Sequence, residues 1–334
     1  MIIHAYAAMA AREKLENFQY VPKDPGPWDV EVKISHCGIC HSDIHLIDND
    51  WGMSIYPLVP GHEIIGTVTE IGSQVNHLQP GRRVGIGWQR SACLTCEWCI
   101  GGHENLCPQE EATCVGHHGG FAERIRIDSR FAFPIPEKMK SDEAAPLLCG
   151  GITVYSPLRL YHVQPNMKVG VIGIGGLGHL ALQFARALGC EVTAFSTSAD
   201  KEAHAHSFGA HHFIHTKNRS ALKNSANTLD FVLNTTFTEL DWAGFVNTLR
   251  PNGKICTVGA TANSIEIPAH LLLGTQRAIC GSVIGSRWMI GEMLEFAARH
   301  DIKAQIETAS MAEVNHAVDR VRKGQARYRL VLTN

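Results

Sequence analysis

The chain has 334 residues, room for about two domains at roughly 150 residues each, and 45% of them are apolar, enough to bury a core in both. Thirty Lys and Arg against 32 Asp and Glu leave a net charge of −2 with no long run of either sign, which argues against a nucleic-acid or membrane-surface partner. The opening Met-Ile-Ile-His-Ala-Tyr lacks the basic and apolar pattern of a secretory signal. The most apolar window, 169–187, is broken by five glycines, His179 and Arg186, which fits a buried strand, turn and helix and not a membrane span.

Eleven cysteines are present, an odd number, and four of them cluster between 93 and 107. With no signal segment, this grouping points to a reduced, cytoplasmic protein with metal-bound thiolates and away from a disulfide framework.

In chain order, residues 29–84 show short apolar alternations cut by turns at Pro25-Gly26-Pro27, Pro60-Gly61 and Pro80-Gly81. They read as strands of a small barrel or sandwich. Among them lies Cys37-Gly-Ile-Cys40-His41-Ser42-Asp43-Ile-His45. Cys40 offers a soft thiolate, Ser42 and His45 a hydroxyl and an imidazole, and Asp43 a carboxylate able to orient another ligand. A helix is expected to begin at 42–46, which would put Ser42 and His45 on one face. One thiolate cannot hold a zinc ion, and a catalytic zinc takes three protein ligands. His62-Glu63 and Cys149-Gly150-Gly151 are the two distant places that could complete the set. Alone, a His beside an acid is more often a structural pair, and a single buried Cys is usually a small hydrophobe.

Cys93, Cys96 and Cys99, spaced by three, with Cys107 eight residues on, can wrap one tetrahedral ion in a single loop. Four thiolates leave no coordination position open, so the role expected of this ion is structural. Strand alternation resumes at 121–128 and ends near Pro134-Ile-Pro136, and 141–151 reads as a helix broken by glycines.

From Lys168 a buried strand runs into Gly173-Ile-Gly175-Gly176-Leu177-Gly178, followed by helical spacing over 180–188, Gly189 as a stop, and a second strand over 191–195. A G-x-G-x-x-G run in this setting is a dinucleotide signature: its glycines let the backbone approach a pyrophosphate at a helix N-terminus. Where an acidic residue usually meets the ribose 2′-hydroxyl, the chain reads Ser196-Thr197-Ser198-Ala-Asp200-Lys201. Small hydroxyls with a nearby lysine suit a 2′-phosphate and favour NADP(H), although Asp200 could reach the ribose if the loop shifted. Strands over 229–234, 253–259 and 278–285 and helices over 240–249 and 288–298 complete a doubly wound parallel sheet, and 328–332 is a strand able to return to the first domain.

With Gly-Ile-Cys40-His-Ser-Asp43, Gly61-His62-Glu63, the four cysteines from 93, Cys149-Gly-Gly-Ile-Thr153 and Gly173-Ile-Gly-Gly-Leu-Gly178 in hand, the whole chain closely resembles the zinc-dependent medium-chain alcohol dehydrogenases. It is most similar to their cinnamyl-alcohol-dehydrogenase branch and, within it, to the bacterial NADPH-dependent aldehyde reductases. The resemblance implies an α/β protein with a GroES-like β-rich catalytic domain (1–150 and 286–334) and a Rossmann domain (151–285). It implies two zinc ions per chain, the catalytic one on Cys40, His62 and Cys149 with Glu63 as an alternative ligand, the structural one on Cys93, Cys96, Cys99 and Cys107. It makes Asp43 the partner that orients His62, and Ser42 with His45 the proton relay. His41 would lie near the cofactor pyrophosphate, Thr153 near the nicotinamide, and Trp51 and Trp88 would wall the substrate pocket, if they are not simply core aromatics. A homodimer through a late strand of the Rossmann sheet, 278–283, is expected.

The reaction expected is interconversion of primary alcohols and aldehydes with NADP(H). One rival is an NAD-dependent polyol or secondary alcohol dehydrogenase. The other is a non-enzymatic nucleotide-binding protein on the same fold, which would be expected to show a damaged metal site, whereas here every ligand position carries a suitable side chain.

Overall fold

The computed structural model describes residues 1–259 and 264–334, with every side chain but that of Arg219. The chain divides into two compact units, Met1–Ile152 with Gly285–Asn334, and Thr153–Ile284.

The first unit opens with a hairpin of β1 (Ile3–Ala8) and β2 (Leu15–Tyr20), which the sequence reading passed over. Next comes β3 (Asp29–Ile39), the spine of the unit, then β4 (Ile64–Ile71), β5 (Arg83–Ile86), β6 (Gln89–Ser91), β7 (Glu111–Ala112), β8 (Arg124–Asp128) and β9 (Ala132–Pro134). β4 pairs antiparallel along one edge of β3, and β8 takes the first half of the other edge, from Asp29 to Lys33. Buried Val30, Val32, Ile34, Ile64, Val68, Ile125 and Ile127 meet in one core, and fully burying a side chain of this size contributes about 1.5–3 kcal/mol. The helices here are short: α1 (His41–Asp48), α2 (Glu97–Ile100) and α3 (Ser141–Ala144). α1 starts one residue before the expected position and stops where Asn49 turns left-handed at φ 57°.

From α4 (Gly150–Leu160) the chain enters the second unit, whose strands are β10 (Lys168–Ile172), β11 (Glu191–Ser196), β12 (His212–His215), β13 (Leu229–Asn234), β14 (Leu249–Thr257) and β15 (Ala278–Gly281). All pair in parallel, in the order β12-β11-β10-β13-β14-β15, the order of a dinucleotide-binding sheet. The intervening helices are α5 (Gly178–Ala187), α6 (Glu202–Ser207), α7 (Arg219–Asn224), α8 (Trp242–Thr248) and α9 (His270–Leu273). Phe195, Val232, Trp242, Phe245 and Ile255 form a buried cluster in this unit. β15 closes one edge of the sheet and β12 the other.

The chain returns to the first unit through α10 (Arg287–Arg299), β16 (Ile306–Ser310), α11 (Val314–Arg322) and β17 (Arg329–Thr333). β17 pairs antiparallel with β3 from His36 to Ile39, filling the half-edge that β8 leaves, and β16 pairs beside it. The last strand therefore returns to the first unit, as its sequence suggested.

Candidate active site

The junction of β3 and α1 builds the first part of the site. Cys40 is the N-cap of α1 and Asp43 its third residue, so the Asp43 carboxylate sits where helix amides are unpaired. It accepts from the Cys40 amide (2.8 Å), the Gly61 amide (2.9 Å) and His62 Nδ1 (2.9 Å). Because a carboxylate only accepts, His62 carries its proton on Nδ1, which leaves Nε2 as a lone pair. That Nε2 is buried and without a hydrogen-bond partner among the described residues.

Cys149, which immediately precedes α4, brings its Sγ to 3.9 Å from Cys40 Sγ. Ligand atoms of Cys40, His62, Glu63 and Cys149 all lie within 4.8 Å of one another. Zinc–sulfur bonds of about 2.3 Å at tetrahedral angles set sulfurs about 3.8 Å apart. Two sulfurs at that spacing and an orphaned imidazole nitrogen fit a zinc ion. The hydrogen bond between the two sulfurs holds Cys40 well below the usual thiol range and Cys149 well above it. Burial opposes charge on His62, but the adjoining Asp43 carboxylate favours it, and its net shift is upward. Cys114, a third buried thiol beside His62 and Asp43, was not singled out from the sequence.

Glu63 is fully buried and ion-paired to Arg329 of β17, while its Oε2 has no partner among the described residues. Burial raises its pKa to about 7 against the lowering effect of Arg329. Gly38 makes this possible, since a Cβ there would lie 2.1 Å from Glu63 Oε2. Arg329 was marked by no motif, and Gly38 only as the first residue of Gly-Ile-Cys40 with no role attached to it.

Ser42 and His45 share α1, and Ser42 Oγ lies 3.7 Å from Cys40 Sγ. No hydrogen bond joins the two relay candidates among the described residues, although residues three apart on a helix are neighbours. The His45 ring turns instead to Asp50, donating from Nδ1 to Oδ2 at 2.8 Å, and packs 5.0 Å from Trp51. Asp50 lies just past the left-handed Asn49, and only that turn brings it back toward the helix. Trp88 stands edge-on to His62 at 5.0 Å and 6.2 Å from Trp51. His41, the first residue of α1, is half-buried, with its pKa lowered mainly by burial.

All eleven cysteines are free thiols, so the cluster at 93–107 is not a disulfide knot. Cys93 Sγ lies 3.9 Å from Cys99 and 3.6 Å from Cys107, and Cys96 lies 3.8 Å from Cys107, distances that are edges of a tetrahedron. The amides of Thr95 and Cys96 donate to Cys93 Sγ and pull its pKa down to about 6. Glu104, inside this loop, is buried and ion-paired to Arg287 at the start of α10. Four thiols arranged in this way fit a second zinc ion.

In the other unit, β10 runs into the glycine loop and α5. Gly173 is left-handed at φ 87°, and a Cβ on Gly178 would meet the Gly173 carbonyl at 1.8 Å. A Cβ on Gly175 would meet nothing within 4 Å, so that face of the loop can be approached closely. Gly176 and Leu177 complete the turn, half-buried. His179 Nδ1 donates to the Gly175 carbonyl at 3.0 Å, and Lys201 Nζ to the Ile174 carbonyl at 2.7 Å. After β11, Ser196 is buried, Ser198 half-buried, and Thr197 and Asp200 exposed. Thr153 is half-buried in α4.

Residues 26–137 match the model of the alcohol dehydrogenase GroES-like domain, and residues 176–299 match that of the zinc-binding dehydrogenases. The chain is 44% identical over 333 residues to the aldehyde reductase AdhA of Synechocystis sp., covering 100% of this chain and 99% of that one. It is 40% identical over 336 residues to a probable mannitol dehydrogenase of Fragaria ananassa, covering 98% and 94% of the two chains. Among solved structures, a cinnamyl alcohol dehydrogenase of Sorghum bicolor superposes with a TM-score of 0.96 at 37% identity, covering 100% and 98%. A Helicobacter pylori cinnamyl alcohol dehydrogenase complexed with NADP(H) gives 0.92 at 32% identity, with the same coverage.

A GroES-like β unit bearing two thiols and an imidazole, together with a parallel nucleotide-type sheet, defines a zinc-binding dehydrogenase. The chain belongs to the zinc-dependent medium-chain alcohol dehydrogenase family, on its cinnamyl-alcohol-dehydrogenase-like branch, and its chemistry is the oxidoreduction of alcohols and aldehydes. No helix among the described residues is long and apolar enough to cross a membrane.

Proposed function

We propose that the chain is a zinc-dependent aldehyde reductase that prefers NADP(H) and runs in reverse as a primary alcohol dehydrogenase. The observation that carries this is the orphaned His62 Nε2 facing the Cys40 and Cys149 sulfurs. When bound, zinc supplies a Lewis acid for the carbonyl oxygen and NADPH supplies the hydride. Asp43 keeps the His62 proton on Nδ1, so that Nε2 stays a donor to metal. Ser42 Oγ, beside Cys40, is the group that gives a proton to the substrate oxygen, and His45 of the same helix replenishes it. Asp50 fixes the His45 tautomer, leaving Nε2 to exchange the proton. Trp51 and Trp88 line the approach as apolar walls.

For the cofactor, the turn from Ser196 to Ser198 has no carboxylate to repel a 2′-phosphate, and the Helicobacter pylori relative was solved with NADP(H). The glycine loop 173–178 would take the pyrophosphate, and Thr153 of the same unit would lie near the nicotinamide. Cys93, Cys96, Cys99 and Cys107 would hold a structural zinc. β15 lies at one end of the sheet, with no further strand beside it among the described residues, which supports a homodimer through that strand.

A second reading, an NAD-dependent polyol dehydrogenase, is favoured by the relative described as a probable mannitol dehydrogenase. Steady-state rates with NADPH and with NADH, against aliphatic and aromatic aldehydes and in reverse against mannitol, separate the two. Faster aldehyde reduction with NADPH supports the first reading, and NAD-linked polyol oxidation as the dominant activity overturns it.

A further inference from the structure

We propose that His215 is a specificity-determining residue for the 2′-phosphate of the dinucleotide, an inference that rests on the NADP(H) reading above. β11 and β12 run parallel and in register, with Ser196 opposite His215, so both strands end together. The Thr216 amide carries the pairing one step further by donating to the Ser196 carbonyl at 2.9 Å. From this position the His215 side chain crosses to the turn leaving β11. Its Nε2–H donates to the Thr197 carbonyl at 3.0 Å, since a carbonyl can only accept.

That turn follows the second strand of the nucleotide fold, where the ribose 2′ position is read. Its own polar groups are partly committed. Ser196 Oγ is buried, donates to the Ser198 carbonyl at 3.2 Å and accepts from the Ser198 amide at 3.1 Å. Lys201 extends an ammonium hydrogen to Ile174 in the glycine loop. His215 adds two things there. It ties the Thr197 carbonyl back onto β12, and in the imidazolium form, with Nε2–H still on Thr197, its Nδ1–H is a second, charged donor that a phosphate at the same turn can use. It is half-buried, so a ligand can reach it. The sequence gives no motif for this residue, because His215 enters only through the pairing of β11 with a strand of four residues.

Calorimetric binding of 2′,5′-ADP and of 5′-ADP to the metal-loaded wild-type, His215→Ala and His215→Gln proteins tests it. Wild type should bind 2′,5′-ADP more tightly than 5′-ADP. His215→Ala should weaken 2′,5′-ADP about tenfold while moving 5′-ADP by no more than about twofold, the effect of one charge-assisted contact. His215→Gln, whose amide can still donate to Thr197, should keep more of the preference. In turnover, His215→Ala should raise KM for NADPH with kcat and the NADH constants unchanged. Equal weakening of both ligands, or no change in either, overturns the proposal. A wild type that does not distinguish the two ligands overturns the NADP(H) reading itself.

Discussion

A single carboxylate, Asp43, satisfies three donors: the amide that opens α1, the amide of Gly61 and the imidazole of His62. Replacing it with Asn leaves the ligands in place but removes the charge that holds His62 in its ligating tautomer. Asp43→Asn should therefore lower zinc affinity about 10- to 100-fold, measured by competition with a chelator. An affinity equal to wild type would show that His62 needs no such partner. Asp50 acts one step further away. Asp50→Ala should lower kcat about tenfold and shift its pH profile while KM for NADPH stays fixed, a smaller effect than the ~10²–10⁴ associated with a direct acid or base. An unchanged pH profile would remove Asp50 from the relay. Cys40, His62 and Cys149, each a weak signal alone, could be proposed together in the sequence because they coincide with the pattern of the family the chain resembles. Asp50 and Arg329 could not: the first reaches His45 only through a left-handed turn, and the second reaches Glu63 across 266 positions by way of the pairing of β17 with β3.

Among the elements, the glycine loop separates fold from function at neighbouring positions. A methyl at Gly178 collides with the Gly173 carbonyl, whereas one at Gly175 meets nothing within 4 Å. Gly178→Ala should lower the thermal midpoint or abolish folding, because backbone must move to admit it. Gly175→Ala should leave the midpoint unchanged and weaken dinucleotide binding, measured by NADPH fluorescence titration. The opposite pattern would mean that the close approach occurs elsewhere. The strands and helices here were legible because buried apolar runs such as Val169 to Ile172 and Phe231 to Leu233 carry their own signal. β12, reading His-Phe-Ile-His, did not, since its ends are polar and its pairing with β11 is what makes it a strand.

For the whole molecule, the cysteine loop ties its own residues to the rest of the first unit through Glu104 and Arg287. If Cys93, Cys96, Cys99 and Cys107 bind metal, its loss should be felt as stability before activity. Cys93→Ser should lower Tm by at least about 5 °C, corresponding to roughly 1–2 kcal/mol in a unit of this size; an unchanged melting curve would count against a structural ion. Thiolate binds metal and thiol does not, so zinc binding to the metal-free protein should release protons and its affinity should fall as the pH is lowered; an affinity that does not change with pH would contradict thiolate ligation.

The most direct measurement is zinc per chain and aldehyde-dependent NADPH oxidation on the same samples of wild type and Cys149→Ser. Two zinc ions and turnover in wild type, against one zinc ion, no turnover and intact NADPH binding in the variant, are the predicted results. A variant that keeps both ions, or keeps full turnover, would contradict the assignment of Cys40, His62 and Cys149 to the catalytic metal.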